Sequence, residues 1–331
     1  MLLANLPGNN SFLLLSRVEM NRHQSFRTKP KHTLHSIQET KSSTIYNVQI
    51  KNNNSPKISL DQNVPTHIAI ITDGNSRWAK QQQPNISRFL KGSQIHPTFL
   101  GHSKGGNRVI SSLLYLKKHY SSVKYVTIYG FSSENWSRPT SEINDLWKVM
   151  ERTLRRFHDL AIREKIVVKM IGELDDERIP PSLRNSFRQL ELDTVEHMER
   201  WKVSLLHDDE YSEEEQFHPL TLCLAINYGG RNDIVQASRR LAEMVSRGEM
   251  QVNEITHDVM NDMLSTSGIP EPDLLIRTGG EQRLSNFLLW NCAYSEIYFT
   301  DVLWPDFDDH QLDLALQWYE TRERRFGGRR E

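Results

Sequence analysis

Six short apolar runs, separated by longer amphipathic stretches, constrain this chain more than any other feature. The runs are 67–72 (HIAIIT), 123–129 (VKYVTIY), 166–171 (IVVKMI), 220–226 (LTLCLAI), 273–276 (DLLI) and 296–299 (EIYF). They are continuous in Val, Ile and Leu, which implies strands buried on both faces. The stretches 104–119, 141–165, 181–201, 231–247 and 308–324 fit helices. Strand–helix alternation implies an α/β fold: a single domain with a mostly parallel central sheet flanked by helices. In such sheets ligands bind beyond the carboxyl ends of the strands.

Four of these strand ends are polar. They read Asp73-Gly74-Asn75-Ser76-Arg77-Trp78, Gly130 to Pro139 (GFSSENWSRP), Asn227 to Asp233 (NYGGRND) and Arg277 to Asn286 (RTGGEQRLSN). All four carry arginine, and in a parallel sheet they meet on one rim. Arginines clamp phosphate oxygens in bidentate fashion. Glycine turns and helix N-termini offer backbone N–H groups to an anion. A carboxylate among cations is best explained by a divalent metal that bridges it to phosphate. This pattern places Mg²⁺ on Asp73 and a diphosphate on Arg77 and the Gly74 turn. Each piece also has a plainer reading. Gly229-Gly230 suits a simple strand-to-helix turn, Asn232 and Asp233 suit a helix start, and Trp78 and Trp136 suit core packing. The pairs Asp175-Asp176 and Asp308-Asp309 read as loop or helix-start residues.

Composition narrows the classes. Residues 1–60 hold eight Lys/Arg and two Glu, and the rest holds 33 basic and 40 acidic residues. The basic excess thus sits on an N-terminal extension and not on the folded part, which argues against a nucleic-acid binder. Residues 1–62 are rich in Ser, Asn, Lys and Arg, and all seven Trp lie at 78 or beyond. This leader reads as a transit peptide to an organelle, plastid before mitochondrion, or else as an untargeted disordered tail on a cytoplasmic protein. The folded domain is then 63–331. Cys223 and Cys292 lie in apolar stretches and read as buried free thiols. No GxxxxGK[ST] and no GxGxxG after a strand is present. No apolar run approaches the roughly 18 residues of a membrane span.

Taken together, HIAIITDGNSRWAK (67–80), GHSKGG (101–106), YGFSSENWSRP (129–139), INYGGRNDIV (226–235), the long stretch 273–307 and RERRFGG (322–328) resemble the cis-prenyltransferase family. That family includes undecaprenyl and dehydrodolichyl diphosphate synthases. The resemblance runs over about residues 66–328. It implies a parallel α/β domain with an apolar prenyl tunnel, usually in a homodimer. It implies Mg²⁺-dependent condensation of isopentenyl diphosphate onto an allylic diphosphate (dimethylallyl, geranyl, farnesyl or geranylgeranyl), giving Z double bonds. The lipid product implies peripheral association with a membrane.

The resemblance also assigns residues. Asp73 is implied as the metal- and diphosphate-handling carboxylate and Glu296 as a second metal ligand. Gly74, Asn75, Ser76, Arg77 and Trp78 are implied to shape the allylic diphosphate site, with His102 beside it. Ser132, Ser133, Glu134, Trp136 and Arg138 are implied to line the same cavity. Asn135 matches a proton-acceptor position; an amide is a weak base, so orienting a diphosphate oxygen that takes the proton is the alternative. Arg277, Arg283, Leu284 and Ser285 match the isopentenyl diphosphate clamp. Arg325-Phe326-Gly327 match a tail that reaches a partner subunit's site. A tunnel wall is read from Ile143, Trp147, Met150, Leu154, Phe157 and Ala161 at helical spacing. Gly130 leaves room near the reacting end, and bulky Trp147 and Phe157 suit the far end.

One departure stands out. Between Lys80 and His102 lie twenty-one residues, QQQPNISRFLKGSQIHPTFLG, where the family's spacing is much shorter. Thr98 stands where the family often has arginine, with Arg88 and Lys91 in the insertion as substitutes. Two rival readings are a non-catalytic partner subunit and a Mg²⁺-dependent phosphohydrolase. The first is disfavoured because Asp73, Arg77, Asn135, Arg277, Arg283 and Glu296 are all retained. The second needs a positioned nucleophile near Asp73.

Overall fold

The computed structural model describes residues 63–86, 97–205 and 219–324. The leader, Arg88 and Lys91 of the insertion, the acidic stretch 206–218 and the tail from Arg325 lie outside the described residues. Six parallel strands form one sheet: β1 (His67–Ile71), β2 (Tyr125–Ser132), β3 (Ile166–Ile171), β4 (Leu220–Tyr228), β5 (Leu274–Arg277) and β6 (Glu296–Phe299). Their order is β3-β4-β2-β1-β5-β6. The helices are α1 (Asn75–Ile86), α2 (Pro97–His119), α3 (Thr140–Arg163), α4 (Pro181–Leu205), α5 (Gly230–Ser246), α6 (His257–Met263) and α7 (Asp309–Glu320).

Every residue of β1 is buried. Ile68 and Ile70 join one core with Leu113 and Leu116 of α2, Leu154 and Phe157 of α3 and Leu316 of α7. Ala69 and Ile71 face the other side, against Phe287, Leu288 and Cys292. The period of two therefore divides one apolar run between two cores. Both cysteines are free and buried, and burial pushes the Cys223 thiol up to about 12. Parallel strands need long crossovers, and these carry the chain from β1 to β2 on one side and eventually to β5 on the other. The carboxyl end of β1 is thus the point where neighbouring strands diverge, the usual location of a ligand crevice.

Two expected boundaries move. β2 and β4 continue past Tyr129 and Ile226 to Ser132 and Tyr228, with a register shift around Gly130. Pairing between the two strands carries them through a bulge that local sequence reads as a stop. Helix α1 follows β1 directly, and α2 begins at Pro97 instead of 104, so His102 is helical.

His67 opens β1 and is buried. Its Nδ1 donates to the Pro270 carbonyl at 2.7 Å, which leaves Nε2 to accept from Thr127 Oγ1 at 2.7 Å. Burial lowers its pKa from 6.5 to about 4. Between these values the unfolded chain binds a proton that the folded chain does not, so stability falls as pH falls through this window. The contribution of His67 is about 3 kcal/mol. Melting temperature is expected to decline from pH 6.5 downward, and less steeply in His67→Gln. Equal slopes in the two proteins would refute this account.

Candidate active site

Asp73 leaves the end of β1 and faces the opening. Its Oδ2 accepts from Arg277 Nη2 at 3.0 Å and its Oδ1 from Arg77 Nη2 at 3.1 Å. Arg277 ends β5, directly beside Ile71 of β1. It is only 3% exposed. Its Nη1 donates to Ser285 Oγ at 2.7 Å and to the Arg283 carbonyl. Arg77, one helical turn after Asp73, donates to the Gly279 carbonyl at 2.5 Å. Thr278 Oγ1 donates to the Asp73 carbonyl at 2.8 Å. The first and fourth polar strand ends are therefore bonded into one unit. Gly279 sits at φ 84°, and a Cβ there would lie 2.6 Å from Arg77 Nη2. Gly74 sits at φ 106°, pressed against Leu303. Both positions need glycine for conformation and for space.

The second strand end forms the opposite lip. Ser133–Ser137 is a single 3₁₀ turn. Glu134 Oε1 accepts from Asn286 Nδ2 at 2.6 Å, which ties the lip to the loop after β5. Asn135 Oδ1 accepts from the Ser132 backbone N–H at 3.0 Å, so its carbonyl oxygen caps the turn. Arg138 Nη1 pairs with Glu142 at 3.1 Å in the first turn of α3.

Below the lip an apolar cavity of about 130 Å³ opens between α2, α3 and the sheet. Asn75, His102 and Gly130 line it, with Ile128, Leu222 and Leu224 from the strands. Ser132, Ser133, Glu134, Trp136 and Arg138, expected to line it, do not, because they lie on the 3₁₀ turn and its caps at the carboxyl end of β2. Met150, Leu154 and Phe157 of α3 line it as the helical spacing predicted, joined by Leu146, Val149 and Thr153. Ile143, Trp147 and Ala161 belong to the packed core instead. Trp147 packs with a tilted ring against Phe131, centroids 4.4 Å apart, and does not line the cavity. Burial lowers the His102 ring to about 4, helped by the Arg138 charge. The ring is neutral at pH 7 and its buried Nε2 has no partner. A larger cavity, of about 360 Å³, lies on the far side of Tyr228 and Gly229 between Glu173, Gln236 and Arg240; no residue bonded to Asp73 lines it.

A carboxylate and guanidiniums on the rim above an apolar cavity suit a ligand with an anionic head and a hydrocarbon tail. The family model of undecaprenyl diphosphate synthase matches residues 71–212 and 206–327. The chain belongs to this prenyltransferase family. A ditrans,polycis-undecaprenyl-diphosphate synthase of Haemophilus influenzae, farnesyl-diphosphate specific, is 40% identical over 82% of this chain and 99% of its own length. The corresponding Micrococcus luteus enzyme is 40% identical over 84% of this chain and 96% of its own. Among solved structures, lavandulyl diphosphate synthase from Lavandula x intermedia, in complex with dimethylallyl diphosphate, aligns with a TM-score of 0.65 and 32% identity. That alignment covers 80% of this chain and 98% of the other.

Not every expected residue of the prenyltransferase converges on Asp73. Glu296 begins β6 opposite Leu274, whereas Asp73 lies beyond Ile71, which pairs with Arg277. Glu296 is therefore three residues, or roughly 10 Å, below the rim. A two-carboxylate metal site of Asp73 and Glu296 does not form within one chain. Among the described residues no group of three or more His, Cys, Asp or Glu could hold a metal. Asp73 alone still fits Mg²⁺, which commonly binds through one or two carboxylates with substrate phosphates and waters. Trp78 is buried and donates to Asp306 at 2.8 Å, so it anchors α1 and does not face the opening. Leu284 packs on the Tyr129–Phe287 core, so its side chain supports the loop. Ser76 lies in the first turn of α1. Arg283 is exposed and paired with Glu281.

Three contributors escaped sequence reasoning. Thr278 fixes the Asp73 backbone, Asn286 joins both lips of the rim, and Asp176 reaches the rim from the loop after β3. Asn286 has a positive φ of 64°, a backbone state that asparagine tolerates and that its place in RTGGEQRLSN hinted at.

Proposed function

We propose that this chain is a Mg²⁺-dependent cis-prenyl elongating enzyme that adds isopentenyl diphosphate to an allylic diphosphate. The observation that carries this reading is the Asp73–Arg77–Arg277 cluster set directly above an apolar cavity. The allylic C–O bond breaks, leaving diphosphate and a delocalised cation. The double bond of isopentenyl diphosphate attacks that cation, a C–C bond forms and a proton is lost. Asp73 would hold the Mg²⁺, which supplies positive charge to the departing diphosphate. Arg77, next to Asp73 and open to solvent, adds cationic donors there. The apolar walls keep water from the cation and take up the growing chain. Asn135 spends its oxygen on the Ser132 N–H, which leaves Nδ2 to donate to a diphosphate oxygen. That oxygen, a better base than an amide, receives the proton.

The relatives' names support the substrate class, and the plant structure supports binding of a short allylic primer on this fold. The enzyme is further proposed to work as a homodimer, so that Glu296 and the tail from Arg325 have a partner site to serve. The basic, hydroxyl-rich leader supports import into an organelle, with the plastid preferred.

The test is to incubate the full chain with labelled isopentenyl diphosphate, Mg²⁺ and each allylic primer in turn, and to size the extracted products. A polyprenyl band or ladder is expected, and none when EDTA replaces Mg²⁺. A folded protein that gives no product would favour the partner-subunit reading, and phosphate release without chain growth would favour the hydrolase.

A further inference from the structure

We propose that Asp176 and Arg178, from the loop after β3, are positioning residues that hold the substrate-facing turn Ser133–Ser137 in place by gripping Trp136 through Asn227. This rests on the prenyl-transfer reading above.

The turn needs an outside anchor. It carries Ser133, Glu134 and Asn135, yet none of its own residues is buried. Its one large apolar side chain is Trp136, and that ring is held on several sides. Its Nε1 donates to Asn227 Oδ1 at 2.7 Å. The Arg178 guanidinium lies over the ring at 4.4 Å. Phe131 meets the ring edge-on at 5.0 Å.

Asn227 is the hub. It is 3% exposed and takes a positive φ of 49° near the end of β4. Its Nδ2 donates to the Glu173 carbonyl at 3.0 Å and to Asp176 Oδ2 at 3.1 Å. One amide thus joins the ends of β2, β3 and β4 with every donor used. Asp176 closes the ring of contacts. It accepts from Arg178 Nη2 at 2.6 Å, from Nε at 2.9 Å and from the Arg178 backbone N–H at 2.9 Å. The same Asp176–Arg178 pair therefore orients the Asn227 amide and sets the guanidinium on the Trp136 face. Hydrogen bonds from Arg178 hold the Asp176 carboxylate at about 2. The pair stays ionised throughout the physiological range.

Arg178 is mostly exposed, so removing it leaves no cavity, and its effect is separable from folding. Purified full-length wild type, Arg178→Ala, Arg178→Lys, Trp136→Phe and the Trp136→Phe/Arg178→Ala double variant would be compared with farnesyl and isopentenyl diphosphates and Mg²⁺. Arg178→Ala is expected to raise KM for the allylic substrate about tenfold, the size of one well-placed cation–π contact and its hydrogen bonds. Its melting temperature should stay close to wild type, because exposed ion pairs add little stability. Arg178→Lys should recover only part of the loss, since an ammonium lacks the planar fork. The double variant should be no worse than the poorer single one, because both act through one contact. Acrylamide quenching of tryptophan fluorescence gives a readout without turnover. Arg178→Ala should increase quenching, and the increase should vanish in the Trp136→Phe background. Unchanged KM, a lower melting temperature without a KM change, additive losses, or a quenching increase that persists without Trp136 would each overturn the proposal. If wild type itself made no product, the prenyl-transfer reading would fail while the quenching comparison still judged the positioning.

Discussion

Replacing Asp73 with asparagine is expected to reduce condensation by roughly a thousandfold or more while the protein stays folded. Both carboxylate oxygens of Asp73 are bonded to guanidiniums, one on Arg77 and one on nearly buried Arg277. The amide keeps one acceptor oxygen for Arg277, which also retains Ser285 Oγ and the Arg283 carbonyl. The guanidinium is therefore not stranded, and the cost in stability stays well below the roughly 3–5 kcal/mol of a broken buried ion pair. What the substitution removes is the anionic oxygen that would hold a cation against the diphosphate. The loss in Asp73→Asn should not be rescued at any Mg²⁺ concentration, with circular dichroism unchanged and only a modest fall in melting temperature. Turnover within a few-fold of wild type would remove Asp73 from the metal site.

Gly130→Leu is expected to shorten the product by several isoprene units while leaving the first condensations largely intact. Gly130 lines the cavity at the β2 bulge. A Cβ there would lie 2.9 Å from Ile226 Cδ1, 3.4 Å from the Ala225 carbonyl oxygen and 3.9 Å from Met150 Cε. The tightest of these is a flexible side-chain end that can give way, and the carbonyl oxygen lies at ordinary contact distance, so the change costs about 1–3 kcal/mol for overpacking. The leucine side chain then takes space that the growing hydrocarbon needs. Sizing the products of wild type and variant with one primer decides the matter. An unchanged length distribution would mean that the chain does not pass Gly130.

How much of this was legible beforehand depends on where the determining contacts lie. The strands were legible as short apolar runs, most directly β1, β4 and β5, where burial on both faces leaves a nearly unbroken apolar stretch, and less so the edge strand β6, which has no buried residue. Helix α1 was not: NSRWAKQQQPNI is mostly polar and contains Pro84, and it is held by the Trp78–Asp306 bond from a segment far along the chain. The rim itself was legible as four arginine-bearing strand ends. Which of those arginines would face solvent was not, since Arg277 is buried by a loop that follows it whereas Arg77 remains open. Glu296 shows the limit most clearly. Its residue type suited a metal and it opens the predicted strand 296–299, but how far below Asp73 that places it depends on pairing, and register is a property that no single segment declares. Asp176 shows the converse. An acid in a loop looked like surface decoration, and only the approach of Asn227 from another strand gives it a role.

The parallel topology has a consequence for how this protein gains and loses its activity. Asp73 and Arg277 are 204 positions apart in the chain and meet only because β1 and β5 become neighbours late in the order of synthesis. Such long-range pairings form slowly, because distant segments must find one another before any contact rewards them. A ribosome must have passed β5 before the carboxylate has its buried partner, so no shorter nascent chain holds even a rudimentary centre. The same dependence runs in reverse. As denaturant is raised, catalysis should vanish in the transition that dissolves the sheet, and turnover becomes a sensitive gauge of whether the whole chain is folded.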